Sequence, residues 1–300
     1  MAERRGDPRT PAPPPGWPGR PSLRERLASA SLRAASRLGG AHYVGLEYQP
    51  PQQSEPRWGW TRPPHPGLAE LLRARRARFR TVLRLVEAHA TELERIPHWD
   101  QDWFTGLDAA VLYSFLRERE PAQLIEIGSG HSTLFAARAV RDGDLPTRIT
   151  SIDPAPRTEI DEVCDEVVRA PLQEAGLERF FELEAGDVVL VDSSHHALRN
   201  SDATAFFLDV LPELPAGVLV GIHDVFLPDD YPWWLADRWY SEQYLLAAWL
   251  LGAGESAEVV FAAHFAATDE ELRPEADRAF AGVRPEVFAA YGSSFWIETT

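Results

Sequence analysis

The chain has no lysine: all 30 of its basic residues are arginine, set against 46 acids for a formal net charge of -16. A surface so negative lacks the basic footprint that phosphate binding requires, which argues against a nucleic-acid partner. Cys164 is the only cysteine, which excludes an internal disulfide and any cysteine-cluster metal site. A reducing cytoplasm is the expected compartment. No run of about 18 apolar residues occurs, so no membrane-spanning helix and no integral membrane association are expected. The amino-terminal arginines are followed by no apolar h-region, which argues against a secretory signal.

What is present suits a soluble protein of ordinary composition, 44% hydrophobic and 25% charged. Its 300 residues suffice for one sizeable α/β domain and an extension. Residues 1–20 are rich in proline and arginine, which predicts a disordered tail. Residues 21–120 read as a helical extension. Ser22 to Leu38 carries apolar residues at helical spacing up to Gly39-Gly40, and a long helix is predicted over Gly67 to Glu94 and another over Leu107 to Arg119. The arginines between Arg73 and Arg84 fit a compositional bias. They also suit docking on the acidic domain or on a second subunit.

From Ala122 onward short apolar strands alternate with helical stretches. Strands are predicted over Gln123–Ile127, Arg148–Ile152, Val167–Arg169, Val188–Val191, Val218–Ile222, Glu258–Ala266 and Ser293–Glu298, and helices over Thr133–Val140, Glu159–Asp165, Ser201–Leu211 and Ser241–Leu251. Continuous apolar strands in such alternation imply a mostly parallel, Rossmann-like α/β sheet covered on both faces.

The first strand runs into Glu126-Ile127-Gly128-Ser129-Gly130, and Ser132-Thr133 then open a helix. Glycines there let backbone approach a ligand, and the free helix N–H groups favour an electron-rich one. The second strand ends at Asp153. Ligands of open α/β sheets bind at the carboxyl ends of strands, so Glu126 and Asp153 are expected on one rim, where a carboxylate grips the hydroxyls of a ribose. The dinucleotide fingerprint wants a third glycine where Thr133 stands, and has no acid two residues before the first glycine. S-adenosylmethionine, whose sulfonium suits Glu126, is therefore favoured. An NAD-dependent enzyme and a non-catalytic scaffold are the alternatives.

The fourth strand ends in Asp192-Ser193-Ser194-His195-His196 and the fifth in Ile222-His223-Asp224. Both tips belong to the cofactor edge of a parallel sheet. Such a set can coordinate a hard divalent cation, with Asp192, His223 and Asp224 as candidate ligands, or supply a histidine general base.

Glu126 to Thr133, Ser151-Ile152-Asp153-Pro154, Val191 to His195 and Ile222-His223-Asp224 together resemble class I S-adenosylmethionine-dependent methyltransferases. They are similar, more narrowly, to the bacterial branch that includes metal-dependent macrolide-sugar O-methyltransferases. The likeness spans roughly residues 100–300, and Trp103-Phe104 to Tyr113, with Asp108, is also similar to the segment before the first motif. It implies Gly128, Ser129, Gly130, Ser132, Asp153, Glu126 and Asp192 at the cofactor, Asp192 and Asp224 at a metal (Mg or Mn), and His195 as the base, with Asp192 also catalytic. His223 departs from the pattern, because the relatives carry an acid there. Softer metals suit imidazole better, and the departure also fits a site without metal.

Phe226, Tyr231, Trp233, Trp234, Trp239 and Tyr240 crowd the loop after the fifth strand. They suit an acceptor pocket or a seam against the amino-terminal helices, with Trp99 and Trp103 completing either. Gln173 is a candidate for the adenine region and His131 a ligand neighbour. The expected partners are a small-molecule methyl acceptor and a second copy of the chain.

Overall fold

The computed structural model describes Leu27, Ala30, Ser31, Ala34 and residues 55–104, 106–252, 257–283 and 291–300. The tail over 1–20 lies outside the described residues. The four described residues of the Ser22–Leu38 segment are helical.

The apolar runs after Pro121 build a seven-stranded sheet in the order β3-β2-β1-β4-β5-β7-β6. Its strands are β1 (Gln123–Ile127), β2 (Arg148–Ile152), β3 (Glu166–Val168), β4 (Val188–Val191), β5 (Leu219–Ile222), β6 (Ala257–Ala262) and β7 (Phe295–Thr299). Strands β1 to β5 pair in parallel, and β7 runs antiparallel between β5 and β6. Val188 to Val191 are wholly buried, as a strand covered on both faces requires. Gly221 stays bare because a Cβ there would meet the Trp296 ring at 2.6 Å.

Residues 54–300 make one compact unit. Helices α1 (Pro66–Arg73), α2 (Arg76–Ala88), α3 (Ala90–Glu94) and α4 (Leu107–Arg119) share its core, with Leu72, Phe79, Val86 and Leu112 in one buried cluster with Ile125 and Phe261. The single helix predicted over Gly67–Glu94 is thus three. Breaks fall at Ala74-Arg75 and at His89, and Arg75 Nη1 covers one freed carbonyl, Leu71 O, at 3.1 Å. The arginines of α2 dock on acids of the same unit. Arg76 bonds Asp269 at 2.6 Å and Glu271 at 2.7 Å, and Arg80 bonds Glu275 at 2.8 Å. Pairs this open to solvent are worth little, so the apolar face of α2 carries most of the docking.

Two other expectations are corrected. Residues 159–165 form no helix, because Asp165 is tied to β2: its N–H donates to Ile149 O and its carboxylate accepts the Ile149 N–H, both at 2.8 Å. The strand predicted over Glu258–Ala266 stops at Ala262, where an alanine-rich run turns into helix over Ala263–Thr268.

The strand order reverses between β1 and β4, which opens a crevice beyond the carboxyl ends of β1, β2, β4 and β5. All the candidate site residues come from those tips or from elements packed against them.

Candidate active site

The turn after β1 fixes one side of the crevice. Gly128 has φ 78°, and a Cβ on it would lie 1.9 Å from Asp192 O, so only glycine lets the β1 and β4 tips come this close. The Gly128 N–H donates to Ile152 O at 3.0 Å and the Asp192 N–H to Ile127 O at 2.8 Å, which ties three strand ends together. Asp153 accepts the Ser129 N–H on one oxygen and the Ala155 N–H on the other, each at 2.7 Å. The Gly130 N–H is held by Thr133 Oγ1 at 3.0 Å, which caps the helix α5 (His131–Gly143).

These residues wall a cavity of about 290 Å³ lined by Gly128, Ser129, Gly130, Asp153, Leu172 and Asp192 among others. That is near the lower end of small-molecule sites, about 300–1,000 Å³. Two buried polar atoms of its lining residues, His131 Nδ1 and Ser193 Oγ, have no hydrogen-bond partner. The glycine approach, the Asp153 carboxylate and these unpartnered atoms fit a polar cofactor such as S-adenosylmethionine.

Glu126 and Ser132 do not line this cavity, in contrast to the expectation for them. Glu126 is fully buried behind the glycine turn, where Ser132 Oγ and Thr133 Oγ1 donate to its two oxygens, the latter at 2.5 Å. Burial, only partly opposed by those hydroxyls, pushes its carboxyl up to about 8. There it holds the Ser132 and Thr133 hydroxyls and so braces the turn from behind. Gln173 is exposed and the neighbouring Leu172 lines the cavity instead. Trp99 is core, packed edge-on against Phe135 and Phe280.

A second cavity, of about 170 Å³, adjoins the first and shares Trp103, Arg157 and Asp192 with it. His195, His223 and Asp224 line it, with Phe226, Trp234 and Tyr240 from the aromatic loop. Both strand tips are strained. His195 has φ 59° and Asp224 φ 55°, a left-handed backbone that costs non-glycine residues about 1–2 kcal/mol and clusters at functional sites. The His195 carbonyl holds its conformation by accepting the N–H of Ser241 at 2.8 Å and of Glu242 at 3.2 Å.

Two imidazoles sit here among four carboxylates. His195 Nδ1 lies 3.0 Å from Glu242 Oε2, and its Nε2 lies 3.3 Å from Asp192 Oδ1 and 3.5 Å from Asp224 Oδ2. His223 Nδ1 lies 3.1 Å from the same Asp192 oxygen, and its Nε2 lies 3.3 Å from Asp108 Oδ2. Asp108 is locked by the N–H groups of Ser293 at 2.9 Å and Ser294 at 2.6 Å. Burial would lower both imidazoles, but the carboxylates outweigh it and raise each well above 6.5. Burial would likewise raise Asp192, but the two imidazoles hold it far below the usual carboxylate range.

A divalent metal does not fit this arrangement. Each ring nitrogen of His223 faces a carboxylate oxygen, an arrangement that suits a proton on each and directs neither at an ion. Among the described residues no group of three His, Cys, Asp or Glu side chains is placed to hold an ion. Asp192, His223 and Asp224 do converge, as an ion-paired cluster.

Sequence reasoning missed Glu242, Asp108 as a partner of His223, and Ser293. Glu242 opens the helix α6 (Glu242–Gly252), where an acid reads as an ordinary first-turn residue. Only the fold brings it to His195 across 47 positions.

Residues 125–225 match a family model described as a methyltransferase domain. The matched stretch holds the glycine turn and strands β2 to β5, the part of the sheet that walls the larger cavity. No curated protein matches the chain. Among solved structures, the chain is similar to an S-adenosylhomocysteine-bound methyltransferase from Podospora anserina (17% identity, 81% of this chain and 100% of that one, TM-score 0.41). It is also similar to an O-methyltransferase from Bacillus cereus in complex with S-adenosylhomocysteine (14%, 78% and 98%, TM-score 0.40). A third is an O-methyltransferase from Streptomyces achromogenes involved in tomaymycin synthesis (14%, 72% and 89%, TM-score 0.35). Among the described residues no helix is long and apolar enough to cross a membrane.

Proposed function

We propose that the protein transfers a methyl group to a hydroxyl of a small molecule, with His195 as the general base. The observation that carries this reading is the position of His195 Nε2. It is 3.3 Å from Asp192, the carboxylate shared by the walls of both cavities, and it lines the smaller one. When bound, S-adenosylmethionine supplies an electrophilic methyl on a positively charged sulfur that leaves as a neutral thioether.

Gly128, Ser129, Gly130, Asp153 and Asp192 are the residues to hold that donor in the larger cavity. The acceptor occupies the smaller one, where Phe226, Trp234 and Tyr240 supply apolar contact and exclude water. Its hydroxyl proton passes to His195 Nε2 as its oxygen forms the new bond to carbon. Glu242 holds the opposite ring nitrogen and stabilises the imidazolium that results. The same acids raise His195 well above its ordinary 6.5, so it becomes a base as the pH rises through that elevated pKa.

Transfer of a labelled methyl group from S-adenosylmethionine to a panel of hydroxyl-bearing sugars and phenolic compounds tests the reading. The wild type is expected to label an acceptor on oxygen, and His195→Ala to slow turnover about 10²–10⁴-fold, the usual contribution of a general base. Label appearing on nitrogen or carbon, or an unimpaired His195→Ala enzyme, would sink it.

A further inference from the structure

We infer that the His223 ring takes the place a divalent cation would fill among Asp108, Asp192 and Asp224, so that the cluster needs no metal. The geometry of the ring carries the inference. Its two nitrogens point in opposite directions, one to Asp192 at 3.1 Å and one to Asp108 at 3.3 Å, and Asp224 Oδ1 lies 3.9 Å from Nδ1. Ionised carboxylates only accept hydrogen bonds, so a ring between two of them is a donor at both ends and carries a positive charge.

The surroundings hold it there. Phe104 packs on the ring with 4.9 Å between centroids, and Ser293 Oγ lies 3.4 Å from Nε2. The ring is nearly inaccessible, and so is Asp108. Asp108 is spoken for by backbone N–H groups and Asp224 by the Ser293 hydroxyl at 3.3 Å. An incoming Mg²⁺ or Mn²⁺ would have to displace a charged, packed ring and collect oxygens already in use. Asp108 is buried and Asp192 and Asp224 are half-buried, so carboxylates gathered there call for a counter-charge, and the chain supplies its own.

His223 is then a positioning residue. It neutralises Asp192 and fixes the oxygen that also faces His195 Nε2. The inference concerns the cluster itself, whatever acceptor the neighbouring cavity takes, and it is tested without turnover.

The test counts free Mn²⁺ by its electron paramagnetic resonance signal in the presence of the full-length chain. The wild type is expected to withdraw no Mn²⁺ up to millimolar concentration, and His223→Asp to bind it with about one-to-one stoichiometry. A second measurement needs no variant: long-range ¹H–¹⁵N spectra of histidine-labelled wild type should show both His223 ring nitrogens protonated and unbroadened by Mn²⁺. Uptake of Mn²⁺ by the wild type that Asp192→Asn abolishes would overturn the inference. So would a bare His223 nitrogen, or a folded His223→Asp protein that takes up no Mn²⁺.

Discussion

His195 Nδ1 lies 3.0 Å from Glu242 Oε2, and both side chains are almost inaccessible to solvent. A buried imidazole backed by a buried carboxylate in this way is oriented and made more basic, leaving Nε2 as the nitrogen that faces the smaller cavity. The relationship gives the first expectation. As the proposed base His195 must lose its proton to act, and its folded pKa is raised well above 6.5. The rate of methyl transfer should therefore climb with pH along a limb displaced to the alkaline side of 6.5. A pH–rate profile checks this; a limb at or below 6.5 would remove His195 as the base.

Glu242→Gln keeps the shape of the side chain and removes its charge. Part of what raises His195 is then lost, so the limb should move toward lower pH. The plateau rate should fall about tenfold or more, because the base is weaker and its imidazolium less stabilised. Measured with saturating donor, the profile separates this from a structural role, which would lower the rate at every pH and leave the limb in place.

Gly128→Ala would drive a methyl group into Asp192 O, 1.9 Å from where its Cβ must go, on a backbone with φ 78°. The left-handed backbone alone costs about 1–2 kcal/mol, and the clash adds to it. The variant should melt several degrees lower and lose affinity for S-adenosylhomocysteine. Thermal scanning with and without that ligand reads both effects.

Glu126 affects stability without touching the cavity. Its carboxyl is raised from 4.5 to about 8 by burial. A raised group adds stability that is fully present below 4.5 and is lost as pH rises through about 8. Glu126→Gln cannot ionise and still pairs with the Ser132 and Thr133 hydroxyls. Its melting temperature should exceed that of the wild type increasingly between those two pH values, and a parallel dependence would refute the assignment.

Much of the sheet was legible because β4 and β5 are continuous apolar runs and β1 and β2 end sharply at turn residues. The glycine turn was legible because Gly128 and Asp153 terminate consecutive strands. What escaped depends on packing. Glu126 and Asp153 look alike in sequence, as acids at strand ends, yet one braces the turn from behind while the other lines the cavity. The largely apolar run Glu258–Ala266 reads as one strand, but its pairing with β7 ends at Ala262. His223 and Asp108 are separated by 115 positions, and nothing local to either announces the pair.

Calorimetric titration with S-adenosylhomocysteine tests most directly whether donor site and base are distinct neighbours in one crevice. Wild type and His195→Ala should bind with affinities within a few-fold of each other, whereas Asp153→Ala should lose binding by tenfold or more. Failure of the wild type to bind, or loss of binding in His195→Ala with Asp153→Ala unaffected, would contradict the account.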